Sequence, residues 1–324
     1  MHRRTLLTAA LCATAGPRAA RAQGASYPNK PLKLIVGFTP GGGIDFTART
    51  IQLGLEAALG QPVVIDYKPG AGGVIAATDL TRTAADGYTL LVANTGPFAI
   101  APYLQAKMPY DPVRQFRYIG QLADTGYIAA TRTDHPAQDL KQFVAWAKAN
   151  PGKANFASGG PGASTHLNGE LLNSVAGIDL LHVPYKGSAP AVTDLIGGQT
   201  HLLIDAGTVL LPQIKGGRLK ALAVTGPRRD PNLPDVATVR EQGLAGMEAV
   251  GFQGLVGPAG LPRDVIERLS AELRKVLATA DVKAKFAGAG SEVQPRNAAE
   301  FAGYVKGEAE RWSALIAKRN IKLD

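Results

Sequence analysis

Short apolar runs rich in β-branched residues alternate along this chain with stripes at helical spacing, and glycine turns separate many of them. Leu34, Ile35, Val36 and Phe38 form the first run, and Pro40 ends it. Gly41, Gly42 and Gly43 follow, then Ile44, Ala48, Ile51, Leu55 and Leu59 recur on one helical face. That pattern predicts strand, glycine turn and helix. The unit repeats with Val63 to Tyr67, the turn 69–73 and a short helix to Leu80. It repeats again with Tyr88 to Ala93, the turn Thr95-Gly96-Pro97 and Phe98 to Leu104. Three such units in a row predict a parallel sheet with right-handed crossovers.

Tyr118 to Ala130 carries two apolar runs and no helical period, so it reads as extended chain leaving this region. A second α/β region follows, with a helix over 140–147 and a strand over 155–157. Next come the small-residue turn 158–165 and a helix carrying His166, Leu167, Leu171 and Leu172. Strands over 180–183, 202–204 and 219–224 alternate with helices starting at Ala189 and near Leu210. Glu248 to Val256 is extended again and reads as the return, and helices dominate the rest. Two α/β domains joined by two extended crossings describe a clamshell with a ligand cleft between them. The expected division is 23–124 with 249–324 as domain 1 and 125–248 as domain 2, each a mostly parallel sheet flanked by helices.

Residues 1–22 stand outside that fold. Arg3 and Arg4 precede the apolar run from Leu6 to Ala15, and Ala20-Arg21-Ala22 offers a cleavage site. This is the pattern of a secretory signal peptide, by the Sec or the twin-arginine route. The expected location of the mature chain is the periplasm. The single cysteine, Cys12, falls inside the leader, so the mature chain has no thiol chemistry. Formal net charge is +9, but four of those charges are leader arginines and the rest are scattered. With no basic block, nucleic-acid binding is not expected.

The candidate chemistry lies in the turns. The glycines at 41–43 are consecutive, and no Gly-Lys-Ser/Thr follows, so neither dinucleotide nor P-loop binding fits. Glycine turns at 40–43, 70–73 and 158–165 would instead present free backbone N–H groups to one cleft. Such groups and helix dipoles favour an anion, with a small carboxylate the natural acceptor. Asp45 reads equally as a first-turn helix acid or a ligand contact. Asp205, at a strand end, reads equally as a helix cap or a partner for a ligand amino or hydroxyl group. His166 could serve Ser158 or Ser164 as a base, which would make an exported Ser/His hydrolase. However, no nucleophile elbow or acidic orienter accompanies it, so a structural or ligand-orienting histidine is the preferred reading. The other histidines are dispersed, and neither a metal nor a cofactor is expected.

Several stretches together resemble the substrate-binding proteins of tripartite tricarboxylate transporters, the Bug or TctC-like family. They are 27–31 (YPNKP), 34–49 (LIVGFTPGGGIDFTAR), 60–73 (GQPVVIDYKPGAGG), 85–91 (ADGYTLL) and 158–167 (SGGPGASTHL). Further matches are 182–187 (HVPYKG) with Pro190, Ala191, Asp194 and Leu195, then Asp205, 222–225 (LAVT) and 257–260 (GPAG). The resemblance implies a type II periplasmic-binding-protein clamshell without catalysis. It implies a ligand that is a dicarboxylate, tricarboxylate, amino acid or aromatic acid, held by loop amides, hydroxyls and bridging waters. The implied partner is a two-component membrane permease, or a signalling partner if the chain is a sensor, with the receptor itself a monomer. Carried onto this chain, the ligand residues are Phe38, Pro40, Gly41 and Gly42 with Gly70, Ala71 and Gly72 from the first domain, and Ser158, Gly162, Ser164 and Thr165 from the second, with Asp205 a further candidate. Asp45, Thr95, His166 and Tyr185, at or beside the same turns, complete the candidate ligand set. Family patterns often have Pro at position 37 and Glu-Asn before the second loop, where this chain has Gly37 and Asp66-Tyr67-Lys68.

Overall fold

The structure is a computed structural model and describes residues 27–105 and 107–321. The expected signal peptide lies outside the described residues. Strand β1 (Leu32–Val36) runs into α1 (Gly43–Leu59), β2 (Val63–Tyr67) into α2 (Val74–Leu80), and β3 (Thr89–Asn94) into α3 (Ala101–Leu104). A turn of π-helix, Gly96–Ile100, sits between β3 and α3. β1 lies between β2 and β3 and is parallel to both. It is buried at four of its five positions, as expected for a strand covered by helices on both faces.

β4 (Phe116–Arg132) is a single strand of 17 residues, and it connects the two halves of the molecule. Its first part pairs antiparallel with β9 (Val250–Pro258), from Phe116 opposite Pro258 to Gly126 opposite Val250. β10 (Ser291–Val293) joins its other side at Ala123 to Thr125. From Tyr127 onward β4 pairs instead with β7 (Leu202–Ala206) and β8 (Leu219–Val224). The two stretches expected to be extended are strands that pair with each other along most of their length. β9 also runs antiparallel to β3, so the sheet is mixed.

The second half holds β5 (Asn155–Ser158), β6 (Leu181–Pro184) and β7, with β5 parallel to both neighbours. Around them lie α4 (Leu140–Ala149), α5 (Ser164–Ala176), α6 (Ser188–Ile196) and α7 (Gly207–Lys215). α8 (Arg263–Ala278), α9 (Ala280–Gly288) and α10 (Ala298–Arg319) return to the first half. α9 and β10 are not separable in the sequence: α9 buries only Val282 and Phe286, too narrow a stripe to stand out among alanines and glycines.

Apolar burial follows the sheet. One cluster packs α1, α8 and α9 on one face of the first half, with Ile51, Leu55, Leu269, Leu273 and Phe286 at its centre. A second covers the opposite face with α2 and α10 and continues through Tyr127 and Ala129 to Phe143, Phe156 and Leu171 of the second half. A third lies under α6 and α7.

Candidate functional site

α1 begins at Gly43 with Gly42 as its N-cap, and no side chain accepts a hydrogen bond from its first turn there. α5 begins after Ala163 and α6 after Gly187, again without side-chain caps. α7 begins after Ala206 in the same way. Sequence dictates this, because Gly and Ala carry no oxygen with which to cap. Residues from all four starts line one cavity of about 50 Å³: Gly42, Gly43 and Ile44; Ala163, Ser164 and Thr165; Ser188; and Asp205 with Ala206. Such a cavity has room for roughly three to five waters, at about 10–15 Å³ each. Phe38, Asn94 and Thr95 from the first half complete the wall, as do Thr125 and Tyr127 of β4, Gly159, and Gly251, Phe252 and Gln253 of β9.

Among the described residues of that lining, Asp205 is the only charged side chain. It is 4% exposed, and its Oδ1 accepts from the Ala206 N–H at 2.7 Å. Oδ2 is buried and has no hydrogen-bond partner. Burial pushes the carboxyl up to about 6, while the Ser188 hydroxyl and the Ala206 amide pull it the other way. Tyr127 is pushed up to about 12 by burial, with hydrogen bonds from Ser164 and Thr95 opposing the shift. The Thr95 hydroxyl also accepts from the Phe252 N–H at 2.8 Å, and the Thr47 hydroxyl bonds the Gln253 side chain. The wall is thus neutral hydroxyls and amides around one carboxylate, with convergent helix N-termini. That is chemistry for binding an anion.

Residues distant in sequence approach closely around this cavity. A Cβ at Gly43 would lie 2.8 Å from the Thr208 hydroxyl, and one at Gly187 would lie 2.5 Å from that of Thr39. Both of these hydroxyls are buried without partners.

Of the residues expected from sequence, Phe38, Gly42, Thr95, Ser164, Thr165 and Asp205 line the cavity. The others stand elsewhere, for identifiable reasons. Pro40 and Gly41 are exposed on the outer flank of the first loop. The Asp45 carboxylate is spent on the loop itself: it accepts from Gly41 N–H at 2.8 Å, Arg49 Nε at 2.9 Å and the Tyr67 hydroxyl at 2.6 Å. Gly70, Ala71 and Gly72 are outside the lining, because Gly72 packs against the backbone of 161–163. Ser158 is fully buried, and its hydroxyl pairs with His182 Nε2 at 2.6 Å rather than with His166. Gly162 donates its N–H to His166 Nδ1 at 3.3 Å. His166 is stacked on His182, and burial with that neighbour lowers it to about 3, so it is neutral and holds the loop. The Tyr185 hydroxyl is bonded to Asp194 at 2.6 Å.

The residues missed come mainly from β4 and β9, where Thr125, Tyr127, Gly251, Phe252 and Gln253 look like any strand. Ser188 also lines it: the sequence reading starts this helix at Ala189, whereas it opens one residue earlier, at Ser188. A larger hollow of about 850 Å³ lies on the other side of β4, bounded by residues 226–231, α9 and β10. Its described lining contains no helix N-terminus, so it lacks the donor convergence of the smaller cavity. Among the described residues no group of three or more His, Cys, Asp or Glu is placed to hold a metal ion.

Residues 47–321 match the model of the tripartite tricarboxylate transporter family receptor, TctC. A Pseudomonas sp. (strain P51) protein from the tcbD-tcbE intergenic region is 37% identical over 98% of this chain and 94% of its own length. Among solved structures, the periplasmic binding protein BugD is 35% identical with a TM-score of 0.89, covering 91% of this chain and 99% of its own. MatC from Rhodopseudomonas palustris, solved with malate, is 31% identical with a TM-score of 0.87, covering 90% and 100%. A second R. palustris protein, solved with adipate, is 29% identical with a TM-score of 0.88, covering 91% and 99%. These relatives are binding receptors rather than enzymes, and their fold is this one. The chain belongs to the TctC, or Bug, family of periplasmic solute-binding receptors.

Proposed function

We propose that this receptor captures a small carboxylated organic acid in the cavity between its halves and delivers it to a tripartite-type membrane permease. The observation that carries this is the convergence of four uncapped helix starts, from α1, α5, α6 and α7, on one cavity. The amides of Gly43, Ile44, Ser164 and Thr165 and the hydroxyls of Thr95, Ser164, Thr165 and Ser188 are the donor set, acting directly or through bridging waters. The malate and adipate carried by two relatives agree with an acid of this size.

In this reading the halves are two lobes, 23–124 with 249–324 and 125–248, that hinge where β4 changes partners. Opening admits the acid, and closure presents the lobes as one surface to the permease. The leader at 1–22 would deliver the chain to the periplasm. No helix of the described residues is long and apolar enough to cross a membrane.

A thermal-shift screen against mono-, di- and tricarboxylates, amino acids and aromatic acids tests the proposal. A true ligand raises the melting temperature in proportion to the logarithm of its excess over Kd. A screen in which no acid raises it at millimolar concentration overturns the assignment.

A further inference from the structure

Relatives of this chain divide on one point of chemistry: malate carries a hydroxyl beside a carboxylate, and adipate has only its two carboxylates. Asp205 bears on that division. Its side chain is 4% exposed and lines the cavity; Oδ1 takes the Ala206 amide and the Ser188 hydroxyl lies against the carboxyl, yet the buried Oδ2 has no donor within hydrogen-bond geometry. An ionised carboxylate accepts hydrogen bonds and donates none. A buried acceptor left without a donor costs free energy that a ligand's donor would recover.

We propose that Asp205 makes this chain selective for short acids bearing a hydroxyl or ammonium group next to a carboxylate, over plain diacids. The inference rests on the cavity being the acid-binding site, and it adds which acids fit. Position supports it. A Cβ at Gly43, on the first turn of α1, would stand 3.5 Å from the Ala206 Cβ, and the Ala206 amide is itself bonded to Asp205. The anion-binding end of α1 and the Asp205 carboxylate are therefore near neighbours. A ligand carboxylate on the α1 amides places its own 2-substituent against Asp205. A hydroxyl or ammonium there completes the hydrogen bonding of Oδ2. A second carboxylate there would meet a like charge, with no Lys or Arg in the lining to offset it.

Isothermal titration with three four-carbon acids, succinate, L-malate and L-aspartate, tests this on the mature chain and on Asp205→Asn. Wild type is expected to bind malate or aspartate roughly tenfold or more tighter than succinate, the loss expected for an unmet buried acceptor. In Asp205→Asn, whose amide both donates and accepts, that gap closes to about threefold or less. If four carbons prove too short, citrate against its deoxy analogue tricarballylate gives the same comparison. Succinate binding wild type as tightly as malate and aspartate overturns the inference while leaving the acid-binding reading in place. So does a gap that survives in a folded Asp205→Asn. No binding of any of these acids overturns the inference, and the wider thermal-shift screen then decides the acid-binding reading.

Discussion

Gly72 meets the carbonyl of Pro161 across the boundary between the halves: a methyl group at residue 72 would lie 2.5 Å from that oxygen. The Gly72 backbone has φ of +61°, where side chains are disfavoured, so the loop is built for close approach rather than for presenting a side group. Gly72→Ala is therefore expected to hinder closure. Ligand affinity should fall by about tenfold or more, while the unliganded protein loses only about 1–2 kcal/mol from the left-handed backbone. Titration calorimetry together with a melting curve separates the two. Undiminished affinity would show that the halves do not need this contact.

Gly42 behaves differently. It is the N-cap of α1, with φ −89° and ψ 175°, the extended geometry that Asp or Ser adopts at that position. A Cβ there would have no neighbour closer than 3.6 Å. Gly42→Asp should fold and gain a few tenths of a kcal/mol from capping. Its carboxylate would occupy the α1 amides that the ligand needs, so binding should be lost while melting temperature holds or rises. A variant that keeps wild-type affinity would place the ligand's carboxylate elsewhere.

These two glycines show how far sequence carries. The turn-helix units at 34–59 and 158–176 are legible because the glycines that cap and the apolar stripe that packs are both local. Both loops are expected from sequence to offer amides to the ligand; Gly42 and Gly43 of the first line the cavity, and Gly70, Ala71 and Gly72 of the second do not. What separates them is which backbone each meets in space: Gly72 meets that of residues 161–163, which lies far off in sequence. Tyr127 and Gln253 were invisible for the same reason. They are strand residues whose position on the cavity is set by the register of β4 against β9 and β7. Sequence alone reads Asp45 in two roles, and the partner it takes here, Tyr67, lies 22 residues away on β2.

Asp205 and His166 give opposite pH dependences. Burial raises Asp205 from 3.8 to about 6, so between those values the folded state binds the proton more readily than the unfolded chain. Stability from this group therefore falls as pH rises from about 4 to 6, and the penalty persists above that. Unliganded Asp205→Asn should exceed wild type by about 1–3 kcal/mol at pH 7.5 and match it near pH 3.5. His166 is lowered from 6.5 to about 3, so its contribution is complete above 6.5 and is lost as pH falls toward 3. His166→Gln should flatten the acid limb of the melting-temperature profile. Urea melts across pH 3.5–8 check both, and parallel profiles for wild type and variant would contradict the assignment.

Tyr67 and Asp45 hold the first loop from behind. The Tyr67 hydroxyl donates to Asp45 Oδ1 at 2.6 Å and accepts from Arg49 Nη2 at 2.7 Å, while Asp45 Oδ2 accepts from the Gly41 N–H. The Gly41 amide thus already has its acceptor, which leaves the neighbouring α1 amides for the ligand. Tyr67→Phe keeps the ring and removes the hydroxyl, and should cost about 0.5–1.5 kcal/mol of stability. Asp45→Ala frees the Gly41 amide as well, and should loosen the loop enough to weaken ligand binding by about threefold to tenfold. Arg49→Ala should do less than either, because its guanidinium faces solvent, which screens its pairing with Asp45. The order Asp45→Ala, then Tyr67→Phe, then Arg49→Ala in loss of affinity, measured against one ligand, is what a support from behind requires. A loss of binding in Asp45→Ala as complete as that of Gly42→Asp, with the fold intact, would instead make Asp45 a direct contact.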